Sequence, residues 1–108
     1  MLEATRIKFE KLIGTIYDFP EIGDELPKHW HKPNQTHISI VARGSFKSFG
    51  NSWEKILKCG DVVDWPALQP HGFIALEAKS RLVNISKNYN ETINEESEVP
   101  DVAEGAIL

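Results

Sequence analysis

Apolar and polar positions alternate along most of the first 86 residues, in short runs separated by turn residues. Thr5–Phe9 (TRIKF) alternates and predicts an edge strand. Leu12–Phe19 (LIGTIYDF) predicts a second strand, ended by Pro20. Leu26–His31 and Thr36–Ala42 follow, separated by the turn signal Lys32–Gln35 (KPNQ). Arg43-Gly44 predicts a hairpin turn into Ser45–Phe49, and Gly50-Asn51 another into Ser52–Leu57. Val62–Trp65, His71–Glu77 and Arg81–Ser86 complete the series. Eight to ten short strands at near-regular spacing, with no amphipathic helical stretch, predict an all-β sandwich or barrel.

The pattern changes after Ser86. Residues 87–108 hold six acidic residues (Glu91, Glu95, Glu96, Glu98, Asp101, Glu104) against Lys87 alone. The expected organisation is one barrel domain over 1–87 and an acidic C-terminal tail over 88–108. The formal net charge of −4 therefore falls on the tail, because the other 86 residues hold ten acidic and eleven basic side chains. Without a basic stripe, no nucleic-acid partner is expected. No apolar run approaches a membrane span, so no membrane partner is expected either. The charged start MLEATRIKFEKL lacks the apolar core of a signal peptide, and lone Cys59 cannot form an internal disulfide. Both point to a cytoplasmic location.

The histidines carry the chemistry. His29, His31 and His37 lie between Gly23 and Gly44, and His71 follows the turn-rich stretch Gly60–Pro70. Residues i and i+2 of a strand share a face, so His29 and His31 should point the same way and Trp30 the other. If the two strands flanking Lys32–Gln35 pair, His37 meets that face. Converging imidazoles form a site for a divalent first-row transition metal (Fe, Mn, Ni, Cu or Zn).

These two stretches resemble the motifs of the cupin family. In the first, Gly23 is followed by five residues, His29-x-His31, five residues, His37, six residues and Gly44. In the second, Gly60 is followed by five residues and Pro66, with His71 at the expected place. The resemblance implies a jelly-roll-like β-barrel (a double-stranded β-helix) with a metal bound by His29, His31, His37 and His71. His37 stands where the family usually has Glu, with Gln35 the rival if one counts forward from His31. Leu68 and Ala75 replace the second motif's Gly and Asn.

Gln35 and Gln69 flank the ligands on loops, and Ser39, Val41 and Phe73 share ligand faces by strand parity. These five are the candidate supporting or pocket residues. Trp30, Trp53 and Trp65 fit core or subunit packing equally well. The resemblance implies a small-molecule ligand and a homodimer. It implies a small metal-dependent oxygenase of dioxygenase type, acting on a chelating or enolic substrate. The alternative is a non-catalytic cupin that binds a small molecule or metal. A sugar isomerase or epimerase is third, since four ligand histidines leave none for an acid–base pair.

Overall fold

In a computed structural model the described residues, 1–9, 12–33 and 36–86, form nine antiparallel strands in two facing sheets. The strands are β1 (Glu3–Phe9), β2 (Leu12–Phe19), β3 (Glu25–His29), β4 (His37–Arg43), β5 (Ser45–Phe49), β6 (Glu54–Lys58), β7 (Val62–Asp64), β8 (His71–Ala75) and β9 (Ser80–Ser86). One sheet has the order β1-β2-β9-β4-β7 and the other β3-β8-β5-β6. The acidic stretch 88–108 and Gln35 lie outside the described residues. Among those described, no helix is long and apolar enough to cross a membrane.

Strand parity builds the interior. In β9, Ser80, Leu82, Asn84 and Ser86 are buried, and the residues between them are only partly so. In β2, Thr15, Tyr17 and Phe19 turn inward. Directly opposed residues share a face, so the register sorts these side chains into layers. Tyr17, Leu82 and Val41 form one layer, and Thr15, Asn84 and Ser39 the next. His37 opposes Ser86 beyond them. The other sheet repeats the order. Ala75, Phe46 and Leu57 form a layer, then Phe73, Ser48 and Leu26, and then His29 opposite His71.

The interior therefore grades from apolar to polar along the barrel in both sheets. Its apolar end holds Phe19, Leu26, Val41, Phe46, Leu57, Phe73, Ala75 and Leu82, packed into one core with Tyr17 and Trp65. Phe19 and Phe46 meet edge-to-face at 4.7 Å between ring centres, an arrangement aromatic pairs favour. All four histidines lie at the other end.

Two expected pairings differ. β3 and β4 do not pair across Lys32–Gln35, because β3 joins β8 while β4 joins β7 and β9 in the opposite sheet. Arg43-Gly44 is likewise a corner between sheets and not a hairpin, since β5 pairs with β6 and β8. The Gly50-Asn51 hairpin does form, with Gly50 N–H donating to Trp53 O at 3.0 Å.

The corner at Gly44 has φ of 80°, which only glycine adopts without strain. A β-carbon there would also collide with the Ser80 side chain, whose Oγ donates to Glu77 O at 2.9 Å. Gly44→Ala should lower the stability of the fold by about 2 kcal/mol or more. Urea unfolding measures it, and an unchanged midpoint would contradict this reading of the corner.

Candidate metal centre

The barrel's polar end brings His29, His31 and His71 together. Each offers one ring nitrogen, and the three nitrogens lie within 4.8 Å of one another. All three side chains are buried, at 1%, 0% and 0% exposure. Their rings touch pairwise, with centres 5.1 Å apart for His29–His31, 4.6 Å for His29–His71 and 5.0 Å for His31–His71. Trp30 between them faces outward and is 37% exposed, as strand alternation requires.

Backbone carbonyls set two of the rings. His29 Nδ1 lies 2.8 Å from Pro27 O, and His71 Nδ1 lies 2.9 Å from Gln69 O. A carbonyl only accepts, so in each ring the proton sits on Nδ1 and the lone pair on Nε2. The Nε2 atoms of His29, His31 and His71 are buried, and no atom of the described residues hydrogen-bonds to them. Burying such an atom without a partner costs about 1–3 kcal/mol. Three of them at one point are the chemistry that a cation bound by imidazole would satisfy, so these residues fit a transition metal.

Burial also keeps the rings neutral. Desolvation lowers the His29 pKa, against the hydrogen bond to Pro27 O, which raises it. Desolvation, with the nearby His29 and His37, takes His71 down to about 3 despite its bond to Gln69 O. Desolvation, with His29 and Arg6, takes His37 down to about 4.

His37, expected as a fourth ligand, lies beside the group of three, with its ring centre 4.5 Å from that of His31. It begins β4 in the opposite sheet, and its Nδ1 lies 3.2 Å from His31 Nδ1. Gln69 orients His71 through its main-chain carbonyl. Ser39 lies inside but faces a tryptophan: its Oγ accepts from Trp65 Nε1 at 2.9 Å and donates to Asn84 Oδ1 at 2.6 Å. Val41 and Phe73 are fully buried core residues beneath the centre.

Sequence reasoning gave Trp65 no particular task. Its ring lies flat on that of His71, 4.2 Å between centres and 7° from parallel. The donor chain Trp65–Ser39–Asn84 thus fixes the plane against which His71 rests. Trp53 stacks on Trp65 from the other side at 5.9 Å. Gly50 makes room for it, since a β-carbon there would run into the Trp53 indole. Pro27 and Asn84 carried no signal, because one acts through its backbone and the other through a long-range pairing.

The two departures from the second cupin motif are accommodated by the backbone. Leu68, in place of Gly, keeps a left-handed backbone with φ of 63°. Its N–H donates to His31 O at 2.8 Å, tying the loop before His71 to the segment bearing His31. Ala75, in place of Asn, is fully buried, and its N–H and C=O bond Asp24 O and Gly23 N at 2.9 Å each.

No protein-family model matches the chain, and no curated protein does. Solved structures do. KdgF from Halomonas sp. aligns with a TM-score of 0.69 and 22% identity, over 78% of this chain and 76% of that one. An RmlC-like cupin protein from Desulfovibrio desulfuricans aligns with a TM-score of 0.64 and 25% identity, over 80% of both chains. A Klebsiella pneumoniae protein with a double-stranded β-helix domain aligns with a TM-score of 0.67 and 22% identity, over 82% and 79%.

The chain is an all-β barrel of the double-stranded β-helix class with a histidine cluster at one end. It has the cupin fold, and its three buried imidazoles form a site able to hold a metal.

Two outcomes test this geometry. A left-handed leucine costs roughly 1–2 kcal/mol, of which the flexibility of an unfolded glycine gives back about 0.4–1. Leu68→Gly should therefore leave stability unchanged or raise it by up to ~1.6 kcal/mol in urea titrations. The second outcome concerns pH. His37 and His71 titrate near 6.5 when unfolded and near 4 and 3 when folded, so between those limits the unfolded chain binds more protons. The metal-free protein should be fully stable above about pH 6.5 and lose stability as pH falls toward 4. The loss should be on the order of 3 kcal/mol for each histidine, read from thermal melting at constant ionic strength.

Proposed function

We propose that this cupin binds one divalent transition metal through His29, His31 and His71 and acts as a small oxygenase of dioxygenase type on a chelating, enolic substrate. The carrying observation is the trio of buried Nε2 atoms that no atom of the described residues hydrogen-bonds. A redox-active ion held there would supply Lewis acidity toward a chelating oxygen and access to dioxygen chemistry.

The residues favour one kind of substrate. Among the described residues the ligand cluster contains imidazoles and no carboxylate. Neutral donors leave the ion's full charge uncompensated, so an anionic chelator gains most from binding. An enolate or catecholate with two adjacent oxygens matches that need. Phe73, Leu26 and Ser48 form the buried layer directly beneath His29 and His71, so the side chains under the cluster are largely apolar. Apolar surroundings strengthen the attraction between bound charges. His71 is held in plane by Trp65, and His29 by Pro27 O.

A second reading is a cupin that binds such a ligand without transforming it. The same composition favours it: an all-imidazole cluster includes no carboxylate to move a substrate proton.

Purified full-length protein incubated with Fe(II), Mn(II), Ni(II), Cu(II) or Zn(II) should take up one ion per chain by elemental analysis. His29→Ala and His71→Ala should each weaken binding at least tenfold. Cu(II) should quench tryptophan emission, because Trp65 touches His71, and Trp65→Phe should remove most of that quenching. Dioxygen consumption with enolic and catecholic compounds then separates the two readings. Uptake of metal without turnover leaves the binding protein, and absence of uptake with every ion would sink the oxygenase reading and leave a cupin that binds a small molecule without metal.

A further inference from the structure

We infer that His37 is the hydrogen-bond partner that orients His31, so that the protein supplies three nitrogens to the metal and not four. The inference rests on the metal reading above and concerns which residues make the centre.

A neutral imidazole has one N–H and one lone pair. Pro27 O and Gln69 O settle which nitrogen is which in His29 and His71, and leave both Nε2 lone pairs buried and without a hydrogen bond from the described residues. For His31 the partner at Nδ1 is another imidazole nitrogen, His37 Nδ1, at 3.2 Å. Two such atoms share one proton. His31 Nε2 is buried among the same rings as the other two Nε2 atoms. To offer that lone pair to a metal, His31 must carry its proton on Nδ1 and donate it to His37. His37 Nδ1 is then the acceptor, and its own proton lies on Nε2.

This arrangement sets the position of His37. The two nitrogens of an imidazole face different edges of the ring. An atom hydrogen-bonded at Nδ1 lies on the side away from an ion bound at Nε2. The His37 ring contacts that of His31 at 4.5 Å and 53°, while His29, His31 and His71 contact one another. Two Nδ1 atoms 3.2 Å apart could also be neighbouring ligands of a single ion. That alternative would draw His31 in through Nδ1 and turn its buried Nε2 away from the other two.

His37 thus does for His31 what a carbonyl does for His29 and His71, but from the opposite sheet. It makes the pose of one ligand depend on how the two sheets face each other. With three protein nitrogens, an ion that takes six ligands keeps three positions for a bidentate chelator and one further small ligand.

The test uses full-length protein loaded with Cu(II), with coordinated imidazoles counted by pulsed electron paramagnetic resonance. Wild type should show three, and His37→Ala should still show three. Cu(II) affinity in His37→Ala should fall about 10–100-fold. His37→Asn places an amide oxygen near the position of Nδ1 and should recover most of the loss, which a missing ligand would not allow. Circular dichroism melts of the metal-free variants check folding; if His37→Ala does not fold, the wild-type count and His37→Asn decide. Four imidazoles in wild type, or unchanged affinity in His37→Ala, would overturn the inference while leaving the metal reading intact. Failure of wild type to bind Cu(II) at all would overturn both.

Discussion

Three buried imidazole edges that no atom of the described residues satisfies are the constraint on which the structure turns. Each lost hydrogen bond at such an atom costs about as much as a buried methyl group contributes, so a fold does not collect three of them at one point without a compensating interaction. The surroundings hold them there by specific means. A carbonyl two residues back in the chain fixes His29, another fixes His71, and Trp65 lies flat on His71. With Nδ1 of His29 and of His71 taken by these carbonyls, the Nε2 atom of each carries a lone pair open to a cation.

The barrel supplies the rest through the period of two. Because each inward side chain has an opposed inward neighbour on the next strand, a gradient written along one strand is copied across the sheet. Leu82, Asn84 and Ser86 in β9 step from apolar to polar, and Val41, Ser39 and His37 in β4 step with them. Phe73 and His71 do the same against Leu26 and His29. The apolar end provides the burial that stabilises the chain. The polar end is where buried hydrogen-bonding groups could be afforded, since they satisfy one another: Trp65 to Ser39 to Asn84, and Ser48 Oγ to Gly72 O at 3.2 Å. Desolvation at that end also holds His37 and His71 neutral well below neutral pH.

Much of this was legible in the sequence. The strands of the series appear close to the expected bounds, because β-branched and aromatic residues alternate between turns. The shared face of His29 and His31, and the outward Trp30, follow from the same alternation. What failed was adjacency. His37 was expected to reach the other histidines by pairing β4 with β3, yet it reaches His31 from the facing sheet. A corner such as Arg43-Gly44 and a hairpin such as Gly50-Asn51 draw on the same turn residues, so turn chemistry alone does not say whether the chain stays in its sheet. The carbonyls of Pro27 and Gln69 left no mark, since any residue two positions before a histidine has one. Trp65 could be read as core, which it is, but its contact with His71 depends on β7 closing one edge of the larger sheet.

An imidazole in the place of a carboxylate changes what such a centre can hold. A glutamate ligand would carry one negative charge into the chamber and neutralise half the charge of a divalent ion. His37 brings none, because burial, His29 and Arg6 keep it neutral. At about 4 Å and an effective dielectric constant near 20, each unit of uncompensated charge is worth roughly 4 kcal/mol of attraction to an anion. That attraction falls on whatever chelator enters, so a dianionic enolate or catecholate would be held far better than its neutral, protonated form. The same substitution removes the usual proton acceptor beside the metal. On the proposed reading, a metal held there would select for molecules that arrive already ionised or that lose their proton to the ion's charge. The range of molecules bound would then track the acidity of the chelating hydroxyl more closely than the shape of the remainder of the molecule.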